Sequence, residues 1–501
     1  MSPTPKIFRN IARDSSLAII LVGLSGPLWY LTTLVMARYY GAQEMGTYFI
    51  AWNMVLIISI ICRLGLDNGL LRFSALLKTK GQVGSLRRLF WPALGLTFLL
   101  GLIAAASLFF TREWLAIRFN APSLPLVLIF VAPALPFFAV SFGMLETIRA
   151  LGGVQYAVFQ KYALSNFTLI IFLLILAYWR GNSIGKYEAL GLAAFLSVLV
   201  NLGFLAASLH FKSGWQESDP IPGESSFRDL FWYSLPMFLN TLLGALAFID
   251  RLILGLFTTP QEVAYYEVAA KAEVLIALPL VALNNVIPPL VVKLYECGNF
   301  AGLEMMAQTT ARWAYYLSLP LTLLLIFLAP ELLGIFGENF KEAIFAVRVL
   351  AVAMLINVTM GSVVFILNMT GHQWKVTLIR LAATIITIAL MLGLTRAYGL
   401  NGMAVASALG LIGINVVLAF AVWRFLKVKA FAGEIRWINI SALLGTILFL
   451  ACKPLTGPVP AAGLFLLLYL ALVFKPLKRE IWLTLQSGEG ALCAAEKNYP
   501  T

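Results

Sequence analysis

Fourteen stretches of this chain are apolar over roughly the 20 residues an α-helix needs to cross a bilayer; the first begins near Ser15 and the last near Pro458. In hydrocarbon every backbone N–H and C=O must find its partner inside the protein, so repeated runs of this length specify helices. Composition agrees: 61% of the 501 residues are hydrophobic and 12% are charged, against roughly 45–50% and 25% in soluble domains. The expected fold class is an all-α polytopic membrane protein with about 14 transmembrane helices. The net charge of +13 does not indicate nucleic acid, because the basic residues concentrate in alternate loops. With the N-terminus inside, 24 Lys and Arg fall on the inner side, nine in outer loops and three within spans. This asymmetry places both termini in the cytoplasm. The basic start (Lys6, Arg9, Arg13) leads into a run too long for a signal-peptide core, so it reads as an uncleaved first span. The four cysteines, Cys62, Cys297, Cys452 and Cys493, show no disulfide or metal-ligand spacing. No metal and no cofactor is expected.

The chain repeats itself. Shifted by 218 residues, Gly26–Ala51 matches Gly244–Ala269 at seven positions, among them Gln43/Gln261, Glu44/Glu262 and Tyr48/Tyr266. The same shift pairs Gly143 with Gly361, Gly153 with Gly371 and Gln155 with Gln373. Six spans lie between the copies, an even number, so the repeat is parallel, with its axis along the membrane normal. The expected division is an N-terminal six-helix lobe (1–211), a Pro- and Gly-containing cytoplasmic linker (212–228) and a C-terminal six-helix lobe (229–430). Two extra helices (431–476) and a polar cytoplasmic tail (477–501) follow.

Ionisable residues inside spans are costly and usually mark a pathway or a site. Asp250 and Arg251 sit in the apolar run from Leu230 to Phe257, and Glu267, Lys271 and Glu273 in the next. Glu267 and Lys271 are four apart with the acid first, the favourable helical pairing. Asp250 and Arg251 are adjacent, point in different directions and are not expected to pair. Mutual neutralisation is one reading of the cluster; a water-filled transport cavity is the other. In the first copy the charges lie lower, at Arg63 and Asp67, with Glu146 and Arg149 at an inner span end. Those positions also suit side chains that snorkel to the interface.

Arg38-Tyr-Tyr-Gly-Ala-Gln-Glu-Met-Gly-Thr-Tyr48, Leu64-Gly-Leu-Asp-Asn-Gly-Leu-Leu-Arg-Phe73 and Asp250-Arg-Leu-Ile-Leu-Gly255 with Tyr265-Tyr266 resemble the polysaccharide biosynthesis family of flippases. That family belongs to the multidrug/oligosaccharidyl-lipid/polysaccharide exporter superfamily. The likeness covers the first twelve spans; Thr259-Pro260 stands where the first copy has Gly-Ala. The resemblance implies a non-enzymatic flippase that moves a polyprenyl-pyrophosphate-linked oligosaccharide across a bacterial cytoplasmic (inner) membrane by alternating access. The glycan would be an O-antigen, capsule or exopolysaccharide unit. It further implies lipid-linked oligosaccharide and membrane lipids as partners, alongside polysaccharide polymerase and chain-length proteins. On this view Arg251, Lys271 and Arg63 bind substrate, while Asp250, Glu267 and Glu273 couple a proton or sodium ion. If Glu267 pairs with Lys271, Arg251 is the free cation and Glu273 the unpaired acid. A cation-coupled multidrug antiporter of the same superfamily is the alternative. A membrane glycan polymerase or ligase fits less well, because the outer loops are short, on the order of ten residues.

Overall fold

The computed structural model describes residues 21, 23–80, 82–179, 184–213, 226–245, 248–284, 287–429, 431 and 436–473. The N-terminus before residue 21, most of the 212–228 linker and the 477–501 tail lie outside the described residues. Among those described the chain is almost entirely helical, without strands. This bears out the all-α polytopic class. Nine described helices are long and apolar enough to cross a membrane, or ten if α10 and α11, introduced below, form one bent span. The count of fourteen remains an expectation. Two helices account for part of the difference. Pro260–Asn284 is 25 residues long but carries Glu262, Glu267, Lys271 and Glu273. Gln373–Leu426 has 54 residues but is two helices that meet at Gly399; at 1.5 Å per residue each rises roughly 40 Å, enough for one crossing apiece.

The chain forms two compact units. The first comprises residues 1–271 and 391–403. It holds α1 (23–35), which runs on through a π-turn to Tyr40, α2 (Ala42–Arg63), α3 (Leu66–Thr79), α4 (Arg87–Phe110), α5 (Arg112–Arg118) and α6 (Leu124–Ala150). There follow α7 (Val154–Phe159) and α8 (Ser165–Trp179), joined by a second π-turn, then α9 (Lys186–Ser213), α10 (Phe227–Ala245), α11 (Ile249–Phe257) and the start of α12 (Pro260–Asn284). α6 is the central helix of this unit, packed against α2, α3, α4 and α9. Leu66, Leu70, Phe90, Leu94, Leu145 and Leu205 form a buried apolar core. A polar seam fixes α8 on α9: Asn201 Nδ2 donates to Thr168 Oγ1 at 3.0 Å, and Gln160 Nε2 to Asn201 Oδ1 at 3.1 Å. Such hydrogen bonds hold helices together where lipid supplies no hydrophobic drive.

α2 ends because Leu64 and Gly65 both adopt left-handed backbone, with φ of 49° and 75°. α3 then restarts beside α10, and a Cβ on Gly65 would collide with the Ser234 carbonyl. Higher on α2, a side chain at Gly46 would overlap the carbonyl of Pro260, the first residue of α12. Glycine there lets the two helix starts touch backbone to backbone.

The second unit comprises residues 272–390 and 404–501. It contains the rest of α12, then α13 (Ile287–Glu296), α14 (Phe300–Phe327), α15 (Ala329–Gly334), α16 (Ile344–Met360), α17 (Val363–Met369), most of α18 (Gln373–Leu426), α19 (Arg436–Thr456) and α20 (Pro458–Val473). Val291, Leu303, Ile366, Leu418 and Val422 join α13, α14, α17 and α18. The two C-terminal helices dock on α14: Tyr469 donates to the Tyr316 carbonyl at 2.8 Å, Tyr315 to Asn439 Oδ1 at 2.9 Å, and Phe449 stacks on Phe327.

The internal repeat reappears as an order of elements. Ala42 and Pro260 open α2 and α12 at the 218-residue spacing, and α3, α5 and α6 recur as α13, α15 and the pair α16–α17. The repeated Gln-Glu pair has a similar use in each copy. Glu44 meets Lys186 at the start of α9 at 3.3 Å, and Glu262 accepts the Leu400 N–H, just past the Gly399 break, at 2.9 Å.

Candidate functional site

Four of the six charged residues singled out in the sequence meet in one layer of the first unit. Asp250 and Arg251 open α11, and Glu267 and Lys271 lie one turn apart on α12. Arg251 Nη1 donates to both oxygens of Asp250 at 2.8 Å each, and its Nε donates to Glu267 Oε2 at 2.9 Å. The other oxygen of Glu267 receives Lys271 Nζ at 3.1 Å. Glu267 is thus shared by two cations, and Arg251 by two acids. None of the four side chains is more than 13% exposed. Two carboxylates, a guanidinium and an ammonium sum to zero, which is how a buried set of charges avoids an uncompensated desolvation penalty.

Two expectations are corrected here. Asp250 and Arg251 do pair although they are neighbours. They stand in the first turn of α11, where the Asp250 carboxylate turns back to accept the Arg251 N–H at 2.8 Å, as an acid at a helix start does. The long Arg251 stem then lays Nη1 across both oxygens of the same carboxylate and turns Nε to Glu267. Arg251 is therefore not a free cation, and Glu273 is not an unpaired acid, since it too has a partner. Glu273 belongs to the second unit; two residues beyond Lys271, it points about 200° around α12 from it.

Arg63 is elsewhere in the first unit. Its Nη1 meets Asp67 Oδ2 at 2.9 Å, its Nε donates to the Ser59 carbonyl at 3.2 Å, and its Cζ lies 3.9 Å from the Phe142 ring centre. It is 6% exposed, so it is buried in a pair rather than snorkelling. Glu146 and Arg149 form a separate pair at 2.8 Å, with Arg149 largely exposed.

Four participants were not singled out from sequence as site residues. Tyr266 donates its hydroxyl to Asp250 Oδ2 at 2.9 Å. Lys271 Nζ donates to Thr33 Oγ1 at 3.4 Å and lies 4.6 Å and 4.9 Å from the ring centres of Trp29 and Phe49. Aromatic faces attract a desolvated ammonium, so this side chain is held by Glu267 on one side and by α1 and α2 on the other. Tyr266 was visible as the end of the repeated Gln-Glu-x-x-x-Tyr motif. Thr33 and Phe49 stand 218 residues before Arg251 and Glu267, their equivalents in the repeat, whereas Trp29 carries no sequence signal beyond residue type.

The chain is thus a helical, many-spanning membrane protein with a buried, charge-balanced layer in its first unit. A family model described as polysaccharide biosynthesis protein matches residues 35–345, and the chain belongs to that family. A probable low-salt glycan biosynthesis flippase, Agl15 of Haloferax volcanii, is 25% identical over 250 residues; the match spans 49% of this chain and about half, 52%, of that relative. The fold is similar to a lipid II flippase MurJ in an inward closed conformation, with a TM-score of 0.68 at 15% identity, covering 93% of this chain and 99% of that one. It is also similar to an inward-facing multidrug resistance MATE family transporter of the MOP superfamily, with a TM-score of 0.66 at 16% identity over 82% and 98% of the two chains.

Proposed function

We propose that this protein translocates a polyprenyl-pyrophosphate-linked oligosaccharide across the cytoplasmic membrane by alternating access between lobes 1–211 and 229–430. The glycan is an O-antigen, capsule or exopolysaccharide unit, handed on to polysaccharide polymerase and chain-length proteins. The buried layer of Asp250, Arg251, Glu267 and Lys271 is the observation that supports this reading. Its two cations are already desolvated and aimed, so a pyrophosphate competes with the carboxylates for them rather than with water. An anion arriving there leaves negative charge in excess, and a proton or sodium ion on Glu267 or Asp250 restores neutrality. Glu273 and Arg63 serve the same roles more remotely. The MATE-like fold keeps a cation-coupled antiporter as the second reading, although a neutral layer offers a cationic drug no surplus acid.

The test is movement of a fluorescent lipid-linked oligosaccharide in reconstituted vesicles. Arg251→Lys should lose about tenfold in rate per folded molecule, the order of one charge-assisted hydrogen bond, because an ammonium cannot fork onto Asp250 and reach Glu267 together. A wild-type protein that moves drugs but no glycan lipid sinks the proposal. Orientation is checked separately in a cysteine-free background. Asn339→Cys should react with an impermeant maleimide in intact cells, while Cys297 restored alone should stay unlabelled; the opposite pattern reverses the topology.

A further inference from the structure

A run of rings joins the charge layer to the buried Arg63–Asp67 pair within the first unit. It begins at Lys271, whose Nζ lies 4.9 Å from the Phe49 ring centre. Phe49 meets Tyr48 edge to face at 5.4 Å, and Tyr48 stacks on Trp52 at 6.1 Å and 10° between planes. Trp52 meets Phe138 at 5.1 Å, Phe138 meets Phe142 at 5.2 Å and 90°, and Arg63 caps Phe142 at 3.9 Å. The strip follows α2 from Tyr48 to Arg63, roughly 22 Å of helix rise in a hydrocarbon core roughly 30 Å thick.

An aromatic stripe at helical spacing usually fills a core. Here burial is uneven. Tyr48 and Phe49 are 2% and 6% exposed, whereas Trp52, Phe138 and Phe142 stay only half-buried. Charged groups at membrane depth face the bundle interior or water rather than lipid. A strip touching such a group at each end shares that side.

We propose that Trp52, Phe138 and Phe142 form a stacking track for the sugar rings of the transported glycan, with Lys271 above and Arg63 below. The inference rests on the glycan-flippase reading and adds the groups that handle the sugars. One face of a pyranose presents C–H bonds, and the negative π-face of an aromatic ring attracts them as it attracts the edge of another ring. Such contacts do not depend on hydroxyl pattern, so successive sugars slide from ring to ring. A lipid tail gains nothing from the cations at the ends, and a pyrophosphate gains nothing from the rings between them.

Binding to the purified full-length protein tests the track, with maltotriose, chitotriose and inorganic pyrophosphate as probes. At least one trisaccharide should bind, and Trp52→Leu should weaken it about tenfold, the order of one aromatic stacking contact. Trp52→Phe should keep most of the affinity, and pyrophosphate binding should be unchanged in both variants. Trisaccharide binding that is absent from the wild type, or equal in wild type and Trp52→Leu, overturns the track. Should Trp52→Leu fail to fold, Phe138→Leu and Phe142→Leu report on the same contacts. Loss of pyrophosphate binding alone counts against the proposed head-group site and leaves the trisaccharide result to judge the rings.

Discussion

Glu267→Gln is expected to cost more folded protein than any other single change in the charge layer, by about 3–5 kcal/mol, the range for breaking a buried ion pair. Glu267 holds Arg251 at 2.9 Å and Lys271 at 3.1 Å on its two oxygens. Without its charge, Asp250 alone faces two buried cations. Lys271 is the group stranded, because its remaining neighbours, Thr33, Trp29 and Phe49, carry no full negative charge. Restoring the balance should therefore restore the fold. Glu267→Gln with Lys271→Gln leaves the Asp250–Arg251 pair intact and should recover most of the lost thermal midpoint without recovering transport. If the double variant is no more stable than Glu267→Gln, neutrality is not what holds this layer.

Gly46→Val should also be damaging, for a reason of space alone. A Cβ at Gly46 overlaps the Pro260 carbonyl and comes within 3.1 Å of the Pro260 Cα. Backbone cannot swing aside as a side-chain tip can, so the starts of α2 and α12 must part. Overpacking of this kind costs about 1–3 kcal/mol. Even Gly46→Ala should lower the thermal midpoint, although replacing glycine inside a helix ordinarily stabilises it by about 0.5–1 kcal/mol. Gly203→Ala is the control, since nothing lies within 4 Å of a Cβ there. Equal midpoints for the two alanine variants would show that the contact yields.

The helical class, the repeat and the pairing of Glu267 with Lys271 were legible in the sequence because each is a matter of spacing. Run length set the first, a fixed 218-residue shift the second, and one helical turn the third. The Asp250–Arg251 pair was misread because adjacency on a helix argues against contact. Nothing local revealed that a helix starts there and turns the carboxylate back. The aromatic partners of Lys271 come from α1 and α2, more than 200 residues earlier in the chain. No periodicity links such positions, so only folding brings them together. Arg63 and Asp67 were readable as a pair, but their depth was not: burial depends on α6, which supplies Phe142.

The zero sum of the charge layer has an electrical consequence. A transmembrane potential does work of about 2.3 kcal/mol per elementary charge per 100 mV, and on these four groups together it does none. In the proposed transport cycle the unloaded protein would carry the layer through the field without help or hindrance from the cell's voltage. Under the proposed function a bound pyrophosphate changes that: unless each of its negative charges travels with a cation, glycan export becomes a current that the membrane potential drives or opposes.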